Sequence, residues 1–110
     1  MSDTETILAR DISRDQLVAE LRALRRAFET EGVLHMTLIG SRARGDNHAA
    51  SDIDLAIEVS DKQRRFSLLD MIGVKHVVED ALGLPADIFM LRSLDHAILT
   101  NAQRDGMRIF

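Results

Sequence analysis

Asp52 and Asp54 stand two residues apart at the head of an alternating run. In it Ile53, Leu55, Ile57 and Val59 interleave with Asp52, Asp54, Ala56 and Glu58. Period two over seven residues predicts a half-buried strand. Side chains at i and i+2 project to one side, so the two acids share a face. That face cannot be core, because two unpaired buried carboxylates would be prohibitively costly. It is open, or it holds metal.

Around this strand the remaining elements are readable in order. Ser13 with Gln16 forms a capping-box pattern, and Leu17, Leu21, Leu24 and Phe28 follow at helical spacing. Gly32 marks the stop. Val33 to Ile39 is a strand-like run that delivers Gly40 and Ser41 at its end. Residues 62 to about 82 read as a helix with Phe66, Leu69, Ile72 and Val77 among its apolar positions. Gly73 inside it costs about 1 kcal/mol relative to Ala, which implies close packing there. Gly83 and Pro85 end it, and Ala86 to Leu91 forms a third strand. Ser93 is a cap for a last helix through about Ala102, and Gly106 leads into the short apolar tail Met107 to Phe110. The expected architecture is α/β (α+β): a small mixed sheet with helices packed on one face and the other left for ligand.

Size and composition restrict the function. At 110 residues the expectation is a single domain over 1–110, with the polar residues 1–12 loosely held. Without cysteine, disulfides and thiolate metal sites are excluded. The opening residues lack the basic-then-apolar pattern of a signal peptide, and no apolar run approaches the ~20 residues that span a bilayer. A cytoplasmic protein with no membrane role is expected. The net charge of -4 argues against coating nucleic acid, and four Phe with no Tyr or Trp offer no stacking platform for single strands. No sequence-specific nucleic-acid binding is expected.

The spacing permits phosphoryl chemistry. Asp52 and Asp54 have Cα atoms ~6.6 Å apart, at about 3.3 Å per strand residue. Like charges so placed repel, and a hard dication relieves the repulsion. Mg²⁺ prefers a few carboxylates plus phosphate oxygens to a full protein cage. A third acid on a neighbouring strand would admit a second ion ~3.5–4 Å from the first. Asp87, the only acid of the third strand, is that candidate. Gly40 lets backbone approach a phosphate closely, and Ser41 adds a hydroxyl and a helix start whose N–H groups favour an anion. Of Arg42 and Arg44, which diverge on a helical turn, Arg44 is expected to touch nucleotide. Gly45 closes the turn. The four histidines share no metal-ligand spacing, and Arg25-Arg26 and Arg64-Arg65 are expected on solvated faces.

Gly40-Ser41-Arg42-Ala43-Arg44-Gly45-Asp46 through Ser51-Asp52-Ile53-Asp54-Leu55 closely resembles the signature of the DNA polymerase β-like nucleotidyltransferase superfamily. The compact length is similar to its minimal nucleotidyltransferase (MNT) branch. The signature covers about sixteen residues, and the element order fits nearly the whole chain. The resemblance implies Mg²⁺-dependent transfer of AMP from ATP to a hydroxyl. Gly40, Ser41 and Arg44 would hold the nucleotide, and Asp52, Asp54 and Asp87 would hold two Mg²⁺ ions. Asp87 would also help deprotonate the acceptor. Minimal members resemble antitoxins that silence a HEPN-domain ribonuclease toxin by attaching AMP to a toxin tyrosine, so a hetero-oligomer with such a toxin is implied. Two other readings stay open. One is an antitoxin that neutralises by docking alone. The other is a transferase acting on a small molecule or RNA end, with a separate acceptor-binding subunit.

Overall fold

The computed structural model describes residues 12–60 and 65–110. Helices α1 (Arg14–Ala23) and α2 (Arg25–Thr30) precede strand β1 (Val33–Ile39) and the single turn α3 (Gly40–Arg44). Strand β2 (Ile53–Val59), helix α4 (Leu68–Leu82) and strand β3 (Ala86–Met90) follow. A 3₁₀ turn (Leu91–Ser93), helix α5 (His96–Asp105) and the short β4 (Met107–Arg108) complete the order.

The described strands form one mixed sheet in the order β3-β2-β1-β4. β1 runs antiparallel to β2 and β4, whereas β2 and β3 run parallel. A parallel pair needs a crossover, and α4 supplies it. Helices α1, α2 and α4 lie on one face, with Leu17, Leu21, Phe28, Val74 and Val78 packed against Met36, Leu38, Leu55 and Ile57. That is the expected single-sided packing. The exception is α5, which covers part of the opposite face through a small cluster of Ala102 with Ile39 and Ala56. Ala56 is therefore buried even though it belongs to the acid-bearing side of β2.

Several boundaries differ from the sequence expectation, each for a local reason. The first helix breaks at Leu24, whose N–H bonds back to Leu21 at 3.0 Å, and resumes as α2. The helix expected from residue 62 begins at Leu68. Residues 62–64 of that expectation lie outside the described residues, while Arg65 and Phe66 are not helical. Ser67 and Asp70 form the reciprocal capping box that fixes this start. Its buried stripe is Val74, Val78 and Leu82, whereas Leu69 is 78% exposed and Ile72 faces outward. Apolar residues surround this helix almost completely, so periodicity alone does not choose the face that meets the sheet. Asp95, not Ser93, caps α5: its carboxylate accepts from the Ile98 N–H at 2.9 Å, and the helix runs to Asp105. Leu91 leaves β3 for the 3₁₀ turn. Of the residues expected to be loosely held, 1–11 lie outside the described set, and Ile12 is buried in the core. The apolar tail adds β4 to the sheet edge, and Phe110 stacks on Phe28 with centroids 6.3 Å apart.

Candidate active site

The site assembles where β1 ends and β2 and β3 begin. β1 carries an apolar face into the core and stops at Ile39, after which Gly40 takes φ 77°. That conformation is strained for any residue with a side chain. A Cβ at Gly40 would also collide with the Asp54 carboxylate, so only glycine leaves room for that acid. The single turn α3 then closes on itself. The N–H groups of Gly45 and Asp46 both donate to the Ser41 carbonyl, at 2.9 and 3.1 Å, with Gly45 left-handed as expected.

The sequence suggests two arginines near a phosphate, and the fold separates their roles. Arg44 is exposed and pairs with Asp46 at 3.1 Å. Arg42 is 1% exposed and turns inward. Its Nε donates to the Ser51 carbonyl at 3.0 Å and its Nη2 to the Ala49 carbonyl at 3.2 Å. The guanidinium thus ties the phosphate-type turn to the segment that delivers Asp52. This bracing role was not evident from sequence, where a buried arginine and a solvated one look alike. The segment is further closed by the His48 N–H donating to Ser51 Oγ at 3.0 Å. At the base of β2, the Ile53 N–H donates to the Pro85 carbonyl at 2.9 Å.

The acids come together through strand pairing. In the parallel β2–β3 ladder Asp54 lies opposite Asp87, and Ala56 lies opposite Phe89. Asp54 and Asp87 are 33 positions apart in sequence, so register alone makes them neighbours. Asp54 is half-buried while Asp52 and Asp87 are exposed. Burial, then the charges of Asp87 and Asp52, push the Asp54 carboxyl up to about 6, with Arg44 pulling the other way. The three carboxylates therefore interact electrostatically at one sheet end. Among the described residues, no three such groups converge closely enough to enclose an ion by themselves.

Chemically, this donor set fits a hard dication. It consists of oxygens only, its negative charge is crowded enough to hinder ionisation of its central member, and two of its acids face solvent. An ion completed by phosphate oxygens and water needs no closed protein cage. Asp52, Asp54 and Asp87 are the residues that could hold it.

Beside the acids, a cleft of about 260 Å³ opens beneath α5. Gly40, Arg44 and Asp54 line it together with Phe89, Ile98, Asn101 and Asp105. No sequence argument anticipated the α5 residues. Their only sequence signal is spacing: Ile98, Asn101, Ala102 and Asp105 fall at i, i+3, i+4 and i+7, one face of a helix. A larger hollow of about 360 Å³ lies at the far end of the sheet, around Gly32 and Phe66, away from the acids.

Comparison with known proteins agrees with this geometry. The family model described as polymerase beta, nucleotidyltransferase matches residues 23–110. A proposed protein adenylyltransferase of Methanocaldococcus jannaschii, MJ0435, is 34% identical over 68 residues, which is 62% of this chain and 69% of that protein. Among solved structures, a proposed minimal nucleotidyltransferase superposes with a TM-score of 0.74 at 26% identity, over 89% of this chain and 97% of that one. A chain from the complex of tri-AMPylated Shewanella oneidensis HEPN toxin with its MNT antitoxin shares the fold. Its TM-score is 0.63 at 16% identity, over 86% of this chain and 71% of that one. The match spans more than three-quarters of the sequence and includes the glycine-serine turn and all three acids. The chain belongs to the polymerase β nucleotidyltransferase family.

Proposed function

We propose that this chain transfers AMP from ATP to a hydroxyl, a tyrosine side chain, of a HEPN-type toxin, and thereby acts as an antitoxin in the cytoplasm. The observation that carries the reading is the register of Asp54 against Asp87, with Asp52 nearby, next to the Gly40-Ser41 turn. The named relatives supply the substrate class: one carries the name of a protein adenylyltransferase, and a fold neighbour was solved beside an AMPylated toxin.

In this reading Gly40 and Ser41 bind the β- and γ-phosphates, and Arg44 adds positive charge beside them. Asp52, Asp54 and Asp87 hold Mg²⁺, which when bound neutralises charge on the phosphates and aligns the displacement. Asp87 accepts the proton of the acceptor hydroxyl. The acceptor oxygen bonds to the α-phosphorus as the bond to the bridging oxygen breaks, and pyrophosphate leaves with that electron pair. Most of the rate gain comes from position and charge placement. Arg42 keeps the turn and the Asp52 segment in fixed relation.

The test is incubation of the full chain, the neighbouring toxin and α-labelled ATP with Mg²⁺. Label should move to the toxin with wild type and stay in solution with Asp54→Asn. A toxin that stays unlabelled under every condition, yet is silenced equally by Asp54→Asn, would point to neutralisation by docking alone.

A further inference from the structure

β3 is an outermost strand of the sheet, and no described strand lies beyond it. The Ile53 N–H donates to the Pro85 carbonyl, which fixes the phase of the parallel ladder. Backbone groups of successive residues point to alternate sides of a strand. Asp87 and Phe89 therefore turn theirs toward β2, whereas Ala86, Ile88 and Met90 turn theirs outward. The Ala86 N–H agrees with that phase, because it donates to the Glu79 carboxylate of α4 at 3.0 Å. Past that contact, Ile88 and Met90 present backbone to whatever lies alongside.

The surroundings of this edge are apolar. A hollow of about 160 Å³ is lined by Met71, Ile72, Lys75, Asp87 and Ile88. Asp87 and Ile88 are consecutive strand residues, so their side chains leave opposite faces of the sheet. Both can line one hollow only where it wraps around the free edge of the strand. Over that edge, Leu68, Met71, Ile72 and Lys75 fall at i, i+3, i+4 and i+7, one face of α4. Leu68 is 71% exposed and Ile72 39%. One exposed leucine means little. An apolar helix stripe beside an open strand edge is a template for an added strand.

Continuity with the acids selects the occupant. Asp87 belongs both to this hollow and to the carboxylate group, and in the proposed reaction it takes the proton of the acceptor. A segment laid along Ile88 sends one side chain toward Met71 and Ile72 and the next toward Asp87. A second copy of this chain fits less well. Pairing β3 with β3 would bring two groups of acids together on molecules of net charge -4, and this chain has no tyrosine to present.

We propose that the free edge of β3, flanked by Leu68 and Ile72, is the docking surface for the acceptor protein. That protein binds through an extended segment in which an apolar residue stands next to the hydroxyl-bearing one. The inference rests on the transferase reading and adds where, and in what conformation, the acceptor is held.

The experiment is calorimetric titration of the full chain with the purified neighbouring toxin, in AMP-PNP and Mg²⁺, beside the label-transfer assay. Leu68→Glu should weaken toxin affinity about tenfold or more, the loss expected when one leucine is kept out of an interface. Its affinity for AMP-PNP should be unchanged. Leu68 is the first residue of α4, where an acid suits the helix N-terminus, so the variant should fold. Leu68→Met should retain toxin binding. Leu34, 47% exposed at the opposite end of β1, is the control: Leu34→Glu should bind toxin as wild type does. By NMR, hydrogen exchange of the Ile88 and Met90 amides should slow in the complex. Toxin affinity unchanged in Leu68→Glu, or no slowing of those two amides, overturns the inference, while label transfer keeps the transferase reading standing. A dimer of this chain alone that Leu68→Glu dissociates, with toxin affinity retained, would assign the edge to a second copy instead. Leu68-dependent toxin binding without label transfer sustains the docking surface and sinks only the transfer. Wild type that neither binds nor labels the toxin overturns both.

Discussion

At the scale of single residues, Asp54 carries the most information. In an unfolded chain its carboxyl ionises near the ordinary aspartate value of about 4. In the fold it does so only near 6, owing to burial first and then to Asp87 and Asp52. A raised pKa means the fold favours the protonated acid, so ionisation of Asp54 works against folding. In metal-free buffer its contribution to stability should fall as pH rises from about 4 to 6 and then level off. Asp54→Asn removes that opposition. Its Tm in EDTA at neutral pH should exceed that of wild type by a few degrees, and added Mg²⁺ should stabilise wild type more than the variant. A variant that melts earlier than wild type would show that Asp54 is not electrostatically crowded. Arg42 teaches the complementary lesson. Its sequence neighbours mark it as one more charge in a basic turn, but the fold uses its fork of donors to close a loop over itself.

Among the elements, α4 shows where periodicity runs out. Leu68, Leu69, Met71, Ile72, Val74, Val77 and Val78 nearly encircle it, so several faces could serve as the buried one. Contact with the sheet chooses Val74, Val78 and Leu82 and leaves Leu68 71% exposed. The capping signal Ser67-x-x-Asp70 was present in the sequence and fixes the start, yet a composition-based reading runs past it. Gly73 does sit at a close approach: a Cβ there would lie 2.7 Å from the Glu31 carboxylate. The obstacle is the tip of a flexible side chain, which can swing away. Helix propensity favours Ala over Gly by about 1 kcal/mol. Gly73→Ala should therefore hold or raise the urea midpoint, whereas Gly73→Leu should lower it. A clear drop for the alanine variant would mean that Glu31 is held in place.

For the molecule as a whole, the C-terminal residues tie distant parts together. Phe110 stacks on Phe28 of α2, and the Arg25 guanidinium lies 5.0 Å from its ring centroid. Arg22 donates to the Ile109 and Arg108 carbonyls at 3.0 and 2.9 Å. The Met36 carbonyl accepts from the Ile109 N–H at 2.8 Å. The strand that closes the sheet edge is thus clamped by both opening helices. Phe110→Ala should cost about 2 kcal/mol, from lost area and ring stacking, read as a shift in urea midpoint with little change in m. An unchanged midpoint would mean that this contact is not maintained in solution.

Local pattern alone determined three strands and the glycine-serine turn between the first two, while Asp52, expected on the strand with Asp54, stands just before its first residue Ile53. Each depends on neighbours only two to four residues apart, a distance over which backbone geometry dictates direction. Tertiary structure decided that Asp87 faces Asp54, that Arg42 turns inward, and that α5 crosses the acid-bearing face to form a cleft. These depend on strand register and on the competition of apolar faces for one core. Both are settled by contacts between residues dozens of positions apart, about which no local period carries information.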